Sequence, residues 1–172
     1  PNHIFEQATP VEYWGREFVV TTTESTPTCN IYSDFIKVTA SQDGTKLYKN
    51  QSSSPLATLN SGESYVFEMK TDNEPSCYLE SDKPVAVFLY QVSSSYQGMT
   101  YGSPSMVWIS PIEQTIKDVI FSTLQVQEIN THYVNIVCHS GLHQTMTLDG
   151  VNISDKFNTL PGNNLYAYAK VP

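Results

Sequence analysis

Two stretches of this chain follow one plan. Phe35-Ile-Lys-Val-Thr-Ala-Ser leads through Asp43-Gly44 and an alternating apolar run to Leu59-Asn-Ser-Gly-Glu-Ser-Tyr-Val-Phe. Tyr133-Val-Asn-Ile-Val-Cys-His leads through Asp149-Gly150 and a second alternating run to Leu160-Pro-Gly-Asn-Asn-Leu-Tyr-Ala-Tyr. Self-similarity of this kind means two related supersecondary units in tandem. Within each unit the apolar period is two, or the runs are short and bounded by Gly, Pro, Asn, Asp and Ser, which is the pattern of strands and turns. Only Pro111-Ile-Glu-Gln-Thr-Ile-Lys suggests a short helical turn, with Pro in its first turn. The expected fold is all-β: tandem β-sandwich-like units, jelly-roll or immunoglobulin-like, with at most one short helical turn.

The first unit occupies residues 1–92, with strands expected near 12–23, 34–41, 45–50, 56–59, 64–69, 77–82 and 85–91. Asp43-Gly44 has the chemistry of a two-residue type I′ hairpin turn, and Asn60-Ser61-Gly62 makes a second turn. Asp82-Lys83-Pro84 makes a third, where Pro starts a strand without a ladder hydrogen bond to give. Residues 93–105 form a polar connecting loop. The second unit spans 106–172, with strands near 106–110, 118–124, 132–139, 144–149, 151–154 and 165–171. Overlaid on the first, it stops after the strand that matches residues 64–69 and lacks counterparts of the next two. It is therefore expected to be incomplete at its C-terminus, with an open sheet edge able to pair with another chain or a following domain.

Composition narrows the class. Charged residues make up only 15% of the 172, and the formal charge is −8. Nucleic-acid binding needs a basic stripe, and an anionic membrane surface attracts basic segments, so neither is an expected partner. No apolar run approaches the roughly 20 residues of a membrane-spanning helix. Cys29 and Cys77 flank strands of the first unit and are placed to meet as a disulfide, a link that contributes about 4 kcal/mol in the chain-entropy model. The alternative is three buried reduced thiols, with Cys138 a small core residue.

The usual catalytic and metal signatures are missing. His139 and His143, with Cys138 and His132 nearby, are zinc-type residues, but such spacing converges on a helix and here the segment leaves a strand through Ser140-Gly141. The carboxylates are scattered, with no pair in a motif that would flank a glycosidic bond. There is no G-x-S-x-G elbow and no glycine-rich phosphate loop. No metal or other cofactor is expected. Asn50-Gln-Ser and Asn152-Ile-Ser match the glycosylation sequon. The best binding candidates are Tyr96 and Tyr101, set among Ser, Gly and Thr in the 93–105 loop, the composition of an adaptable recognition surface.

Several segments resemble the N-terminal domain family named after the mucus IgG Fc-binding protein, found also in large secreted proteins of Bacteroidetes bacteria. They are Tyr13-Trp-Gly-Arg-Glu-Phe-Val-Val, Ile36-Lys-Val-Thr-Ala-Ser-Gln-Asp-Gly-Thr, Leu59-Asn-Ser-Gly-Glu-Ser-Tyr, Ser81-Asp-Lys-Pro-Val, Pro104-Ser-Met-Val-Trp-Ile-Ser-Pro-Ile-Glu-Gln and His132-Tyr-Val-Asn-Ile-Val through Leu148-Asp-Gly. The resemblance implies a secreted or surface-displayed β recognition module, without defining a ligand. The motifs themselves are structural in chemistry: Gly15, between Trp14 and Arg16, suits a bulge or a close backbone approach. The expected function is a non-catalytic adhesion module binding host mucus glycoconjugates or proteins. The alternative is a structural spacer or assembly domain whose open edge pairs with neighbours.

Overall fold

The computed structural model describes residues 4–24, 33–92, 103–123 and 131–172, and within them the chain is all-β. One antiparallel sheet contains β1 (Gly15–Thr21), β2 (Ser33–Ala40), β3 (Thr45–Lys49), β4 (Ala57–Leu59), β5 (Ser64–Lys70), β6 (Ser76–Gln91) and β7 (Ser105–Trp108). The long strand β6 organises it. The first half of β6 is flanked by β1 and β3, its second half by β2 and β7. With β4 beside β3 and β5 beside β2, the sheet folds over on itself as a sandwich whose two layers share β6.

The bend in β6 falls at Ser81-Asp82-Lys83-Pro84. A chain-reversing turn is expected there from sequence; instead the strand runs on, and the turn-type residues make a jog. Opposite the step from Gly15 to Glu17, β6 runs from Val85 back to Glu80. Pro84 has no N–H to offer a ladder. Asp82 accepts the Lys46 N–H at 2.8 Å and Lys83 Nζ donates to the Asp43 carbonyl at 2.5 Å, so polar contacts hold the corner.

Alternate residues on either side of the jog fill one core. Phe18 and Val20 of β1, Leu47 of β3, and Cys77 and Leu79 of β6 meet Ile36, Val38, Met69, Val85, Val87 and Leu89 from the other layer. Each large aliphatic or aromatic side chain buried this way stabilises the fold by ~1.5–3 kcal/mol. The bulge expected at Gly15 is present as the register shift in β1, and so is the close approach. A Cβ there would lie 2.1 Å from Pro111 Cβ.

The second unit contains β8 (Val134–His139), β9 (Thr147–Leu148), β10 (Val151–Asn152), β11 (Asn158–Leu160) and β12 (Asn163–Val171). Its strands form a β11-β12-β8 sheet and a β9–β10 hairpin. That hairpin turns at Asp149 and Gly150, both left-handed at φ 50° and 78°, as a type I′ turn requires. At Asp43-Gly44 only Gly44 is left-handed, and β2 and β3 are not partners, since each pairs with a different half of β6. The expected hairpin is a corner between layers.

Two further departures concern 106–124. The strand expected at 106–110 is β7, which pairs with β6 and so joins the first sheet rather than opening the second unit. Residues 118–123 form no strand. The helical turn expected after Pro111 is a 3-10 turn over Ile112–Gln114, and others lie at Val11–Tyr13, His143–Thr145 and Ser154–Lys156.

Register makes the second unit face two ways. Val134, Ile136, Ala169 and Val171 pack under Met146, Leu148, Ile153 and Phe157. Tyr166 and Tyr168 point to the opposite face, onto Val19 and Tyr78 of the first sheet. Their counterparts Tyr65 and Phe67 instead share a core with Ile36 and Val38. Val38 pairs with Tyr65, whereas its counterpart Ile136 pairs with Ala169 rather than Tyr166. An odd slip turns every side chain to the other face, and here it supplies the seam between units.

Candidate functional site

The rim of that seam is the most chemically loaded surface among the described residues. On the outer face of the first sheet, Glu17 of β1 lies opposite Glu80 of β6, and Glu80 lies opposite Tyr48 of β3. In the next row Val19 lies opposite Tyr78. The Tyr78 hydroxyl donates to Glu17 Oε2 at 2.6 Å. Tyr166 stacks on Tyr78 with centroids 6.1 Å apart, and the exposed His139 ring lies 4.8 Å from Tyr166. Glu113 arrives from the 3-10 turn, its Oε1 accepting the Arg16 N–H at 3.0 Å.

Like charges directly opposite on neighbouring strands weaken a sheet. Yet neither Glu17 nor Glu80 has an ion-pair partner among the described residues. Burial, with the Glu17 charge adding to it, pushes the Glu80 carboxyl above the usual carboxylate range. Burial also raises Tyr78, reinforced by its hydrogen bond to Glu17 and by the Glu17 and Glu80 charges. Tyr166 is raised for the same first reason, then by Glu17 and Glu113. Glu17, Glu80 and Tyr48 are half-buried beside aromatic faces. Such a row accepts hydrogen bonds from hydroxyls, amides or cationic groups.

A second polar cluster fastens the units behind the seam. Lys170 of β12 donates to Thr22 Oγ1 at 2.8 Å and to the Thr23 carbonyl at 3.2 Å, and lies 3.8 Å from Glu24. The fully buried Asp34 accepts the Thr23 N–H at 2.6 Å and its hydroxyl at 3.0 Å. Asn135 of β8 donates to the Thr22 carbonyl at 3.3 Å. Elsewhere, an open depression of 440 Å³ lies beside the β3–β4 connection, between Ser52, Ser54 and the Lys49–Glu74 ion pair.

Of the residues singled out from sequence, Tyr96, Tyr101 and Cys29 lie outside the described residues. The flanks of the loop that carries the two tyrosines are placed: Gln91 and Ser105 are cross-strand partners, joined by a 2.8 Å side-chain hydrogen bond. Cys77 is a free thiol in the main core, 3.5 Å from Met69 Sδ, its pKa pushed up to about 12 by burial. Cys138 is a half-buried free thiol. His139 faces Tyr166 while His143 faces Phe157 and contacts the Ser140 carbonyl, so the structure does not bring the two rings together. No group of three or more metal-ligating side chains converges among the described residues. Asn50 is half-buried and its Oδ1 accepts the Tyr78 N–H at 2.9 Å, whereas Asn152 is exposed.

Glu17 and Glu80 were among the scattered carboxylates of the sequence. Nothing local marks them as a pair, because their meeting depends on β1 adding to β6 across a bulge. Compared with known families, the chain matches the family described as IgGFc binding protein over residues 1–172. No curated protein and no solved structure matches it.

Proposed function

Because this chain belongs to the IgGFc-binding protein family, a family of extracellular binding domains, we propose that it is a non-catalytic adhesion or recognition module. In this reading it belongs to a secreted or surface protein and binds host mucus glycoconjugates or proteins. The observation that carries this reading is the Glu17–Glu80–Tyr48 row. An unpaired acidic couple costs the sheet stability, and a partner bearing hydroxyl or cationic donors offsets that cost on binding. Aromatic area beside fixed acceptors is the usual make-up of a glycan or protein contact. The Tyr96 and Tyr101 loop, leaving and re-entering the sheet between β6 and β7, is the other proposed contact.

The deciding experiment is binding of the purified chain to an array of mucins, glycans and proteins that includes immunoglobulin Fc. Saturable binding is expected. It should be lost in Glu17→Gln with Glu80→Gln, or in Tyr96→Ala with Tyr101→Ala, without a lowered melting temperature. A folded chain that binds nothing on the array overturns the reading. A second reading, a structural domain that pairs with neighbours in an assembly, is supported by β8, whose second edge has no strand beside it among the described residues.

A further inference from the structure

The connection between β3 and β4 opens on a turn that its own sequence disfavours. Lys49-Asn50-Gln51-Ser52 is closed by the Ser52 N–H on the Lys49 carbonyl at 3.1 Å, and its two central residues are left-handed at φ 52° and 56°. Such a turn favours Gly as the second central residue, because a Cβ there crowds the following carbonyl. Gln51 stands in that place. Strain of this kind collects at ligand sites, where the surrounding structure holds it. Here Tyr78 holds Asn50 from two sides: its carbonyl accepts the Asn50 N–H at 2.8 Å, and its N–H donates to Asn50 Oδ1 at 2.9 Å. The turn forms one wall of the 440 Å³ depression, and Glu74, in the turn after β5, stands on the other side. The Glu74 N–H donates to the Lys70 carbonyl at 2.7 Å, which fixes that turn. Lys49 Nζ lies 2.7 Å from each Glu74 carboxylate oxygen and 4.8 Å from the centroid of the Phe67 ring. The two side chains are 21% and 28% exposed, so the pair is partly dehydrated yet still lines the depression.

We propose that this depression is a saccharide subsite, taking one pyranose ring through two neighbouring hydroxyls. The Lys49–Glu74 pair presents an ammonium donor and a carboxylate acceptor side by side, and each hydroxyl of a vicinal pair both donates and accepts. A neutral diol bridges the two charges without separating them, whereas a charged group has to displace one of them. Asn50 and Ser54 add an amide and a hydroxyl at the rim, and Leu56 supplies apolar wall for the C–H face of the ring. The volume falls in the range of small-molecule sites, ~300–1,000 Å³. Both walls are anchored by the backbone bonds above, so binding requires little ordering of the chain. The ligand class rests on the glycoconjugate reading, but the residues are separate from the Glu17–Glu80 row and from the 93–105 loop.

Amide-resolved NMR of the intact chain tests this, with the methyl glycosides of glucose, galactose, mannose, fucose and N-acetylglucosamine as probes. At least one glycoside should shift the amides of 49–56 and of Glu74 saturably. Glu74→Gln keeps an acceptor but removes the charge, and should weaken that binding about tenfold. Ser54→Trp fills the depression from an exposed position, so it should keep the melting temperature and abolish the binding. Glu17→Gln with Glu80→Gln should leave the binding unchanged. Saturable shifts confined to other residues overturn the subsite and keep glycan recognition elsewhere on the chain. Shifts at 49–56 that survive both Glu74→Gln and Ser54→Trp overturn it too. A folded chain that responds to none of the five glycosides also overturns the subsite, while the array of mucins, glycans and proteins still decides the wider reading.

Discussion

Gly162, in the turn before β12, lies against the backbone of Asn50, where a Cβ would fall 2.5 Å from the Asn50 carbonyl oxygen. Asn50 is left-handed at φ 52°, and its N–H donates to the Tyr78 carbonyl at 2.8 Å. The tyrosine on which Tyr166 stacks is thus positioned by the residue that Gly162 touches. One turn glycine sets how closely the second unit approaches the first.

Gly162→Ala is expected to cost more than a left-handed backbone alone explains. Gly62, at φ 80° with nothing within 4 Å of a Cβ, supplies the comparison. Gly62→Ala should lose about 1–2 kcal/mol from backbone strain, and Gly162→Ala about 2–4 kcal/mol from strain plus the forced shift at the seam. Urea unfolding of the two variants measures the difference. Equal losses would mean the Asn50 contact contributes nothing.

Gly15→Ala should fail for a different reason. Its backbone is ordinary, but the added methyl would sit 2.1 Å from Pro111 Cβ, against a ring that cannot turn away. A loss of about 1–3 kcal/mol is expected. Combining it with Pro111→Ala removes the 2.7 Å overlap with Cγ but leaves the closer one with Cβ, so little recovery is expected. Pro111→Gly removes that atom and should recover part of the loss, read as a rise in Tm over the single variant.

These positions separate what the sequence displays from what it conceals. Gly15 sits in a strand-like run where glycine has no propensity reason to occur, so a bulge or close approach is legible. The similarity of the two stretches is legible as sequence, but their matching turns differ: Asp149-Gly150 closes a hairpin, whereas Asp43-Gly44 is a corner between β2 and β3, which pair with different halves of β6. The role of Ser81-Asp-Lys-Pro is not legible, since the same residues suit a reversing turn or a jog, and only β1 and β3 on one half and β2 and β7 on the other decide between them. The outward turn of Tyr166 and Tyr168 is hidden too. It comes from a register slip, and the alternation of β12 fits either register. Glu17 meets Glu80 only through long-range pairing, which local pattern does not encode.

The polar cluster behind the seam gives opposite pH slopes at its two ends. Burial lifts the Asp34 carboxyl above its usual 3.8, with the Thr23 hydrogen bonds and the Lys170 charge opposing. The folded chain then holds that proton more tightly than the unfolded chain. Its stabilising effect is complete below 3.8 and is lost as pH rises through the folded value. Burial lowers Lys170 below its usual 10.5, with Glu24 and Asp34 opposing. Its contribution is complete above 10.5 and is lost as pH falls through the lowered value. Asp34→Asn should flatten the acid side of a Tm–pH profile and Lys170→Met the alkaline side. Unchanged slopes in both variants would show that neither group is linked to folding.

The strongest separation of recognition from folding lies in Glu17 and Glu80. Replacing both by Gln removes a like-charge pair and keeps an amide oxygen for the Tyr78 hydroxyl, so at neutral pH the variant should be more stable by about 0.2–1 kcal/mol. The wild-type penalty exists only while Glu80 is ionised. As pH falls through its raised folded value towards 4.5, the wild type regains stability and the advantage of the variant should vanish. A site kept for binding gives a variant that melts higher and binds less, the trade between stability and function expected where an unfavourable arrangement serves a partner. If the variant melts higher and binds as well as the wild type, the acidic row is an uncompensated flaw of the sheet, and recognition belongs to the 93–105 loop. If it melts lower, the row is structural, and Glu17 contributes through its 2.6 Å bond from Tyr78 more than it loses to Glu80.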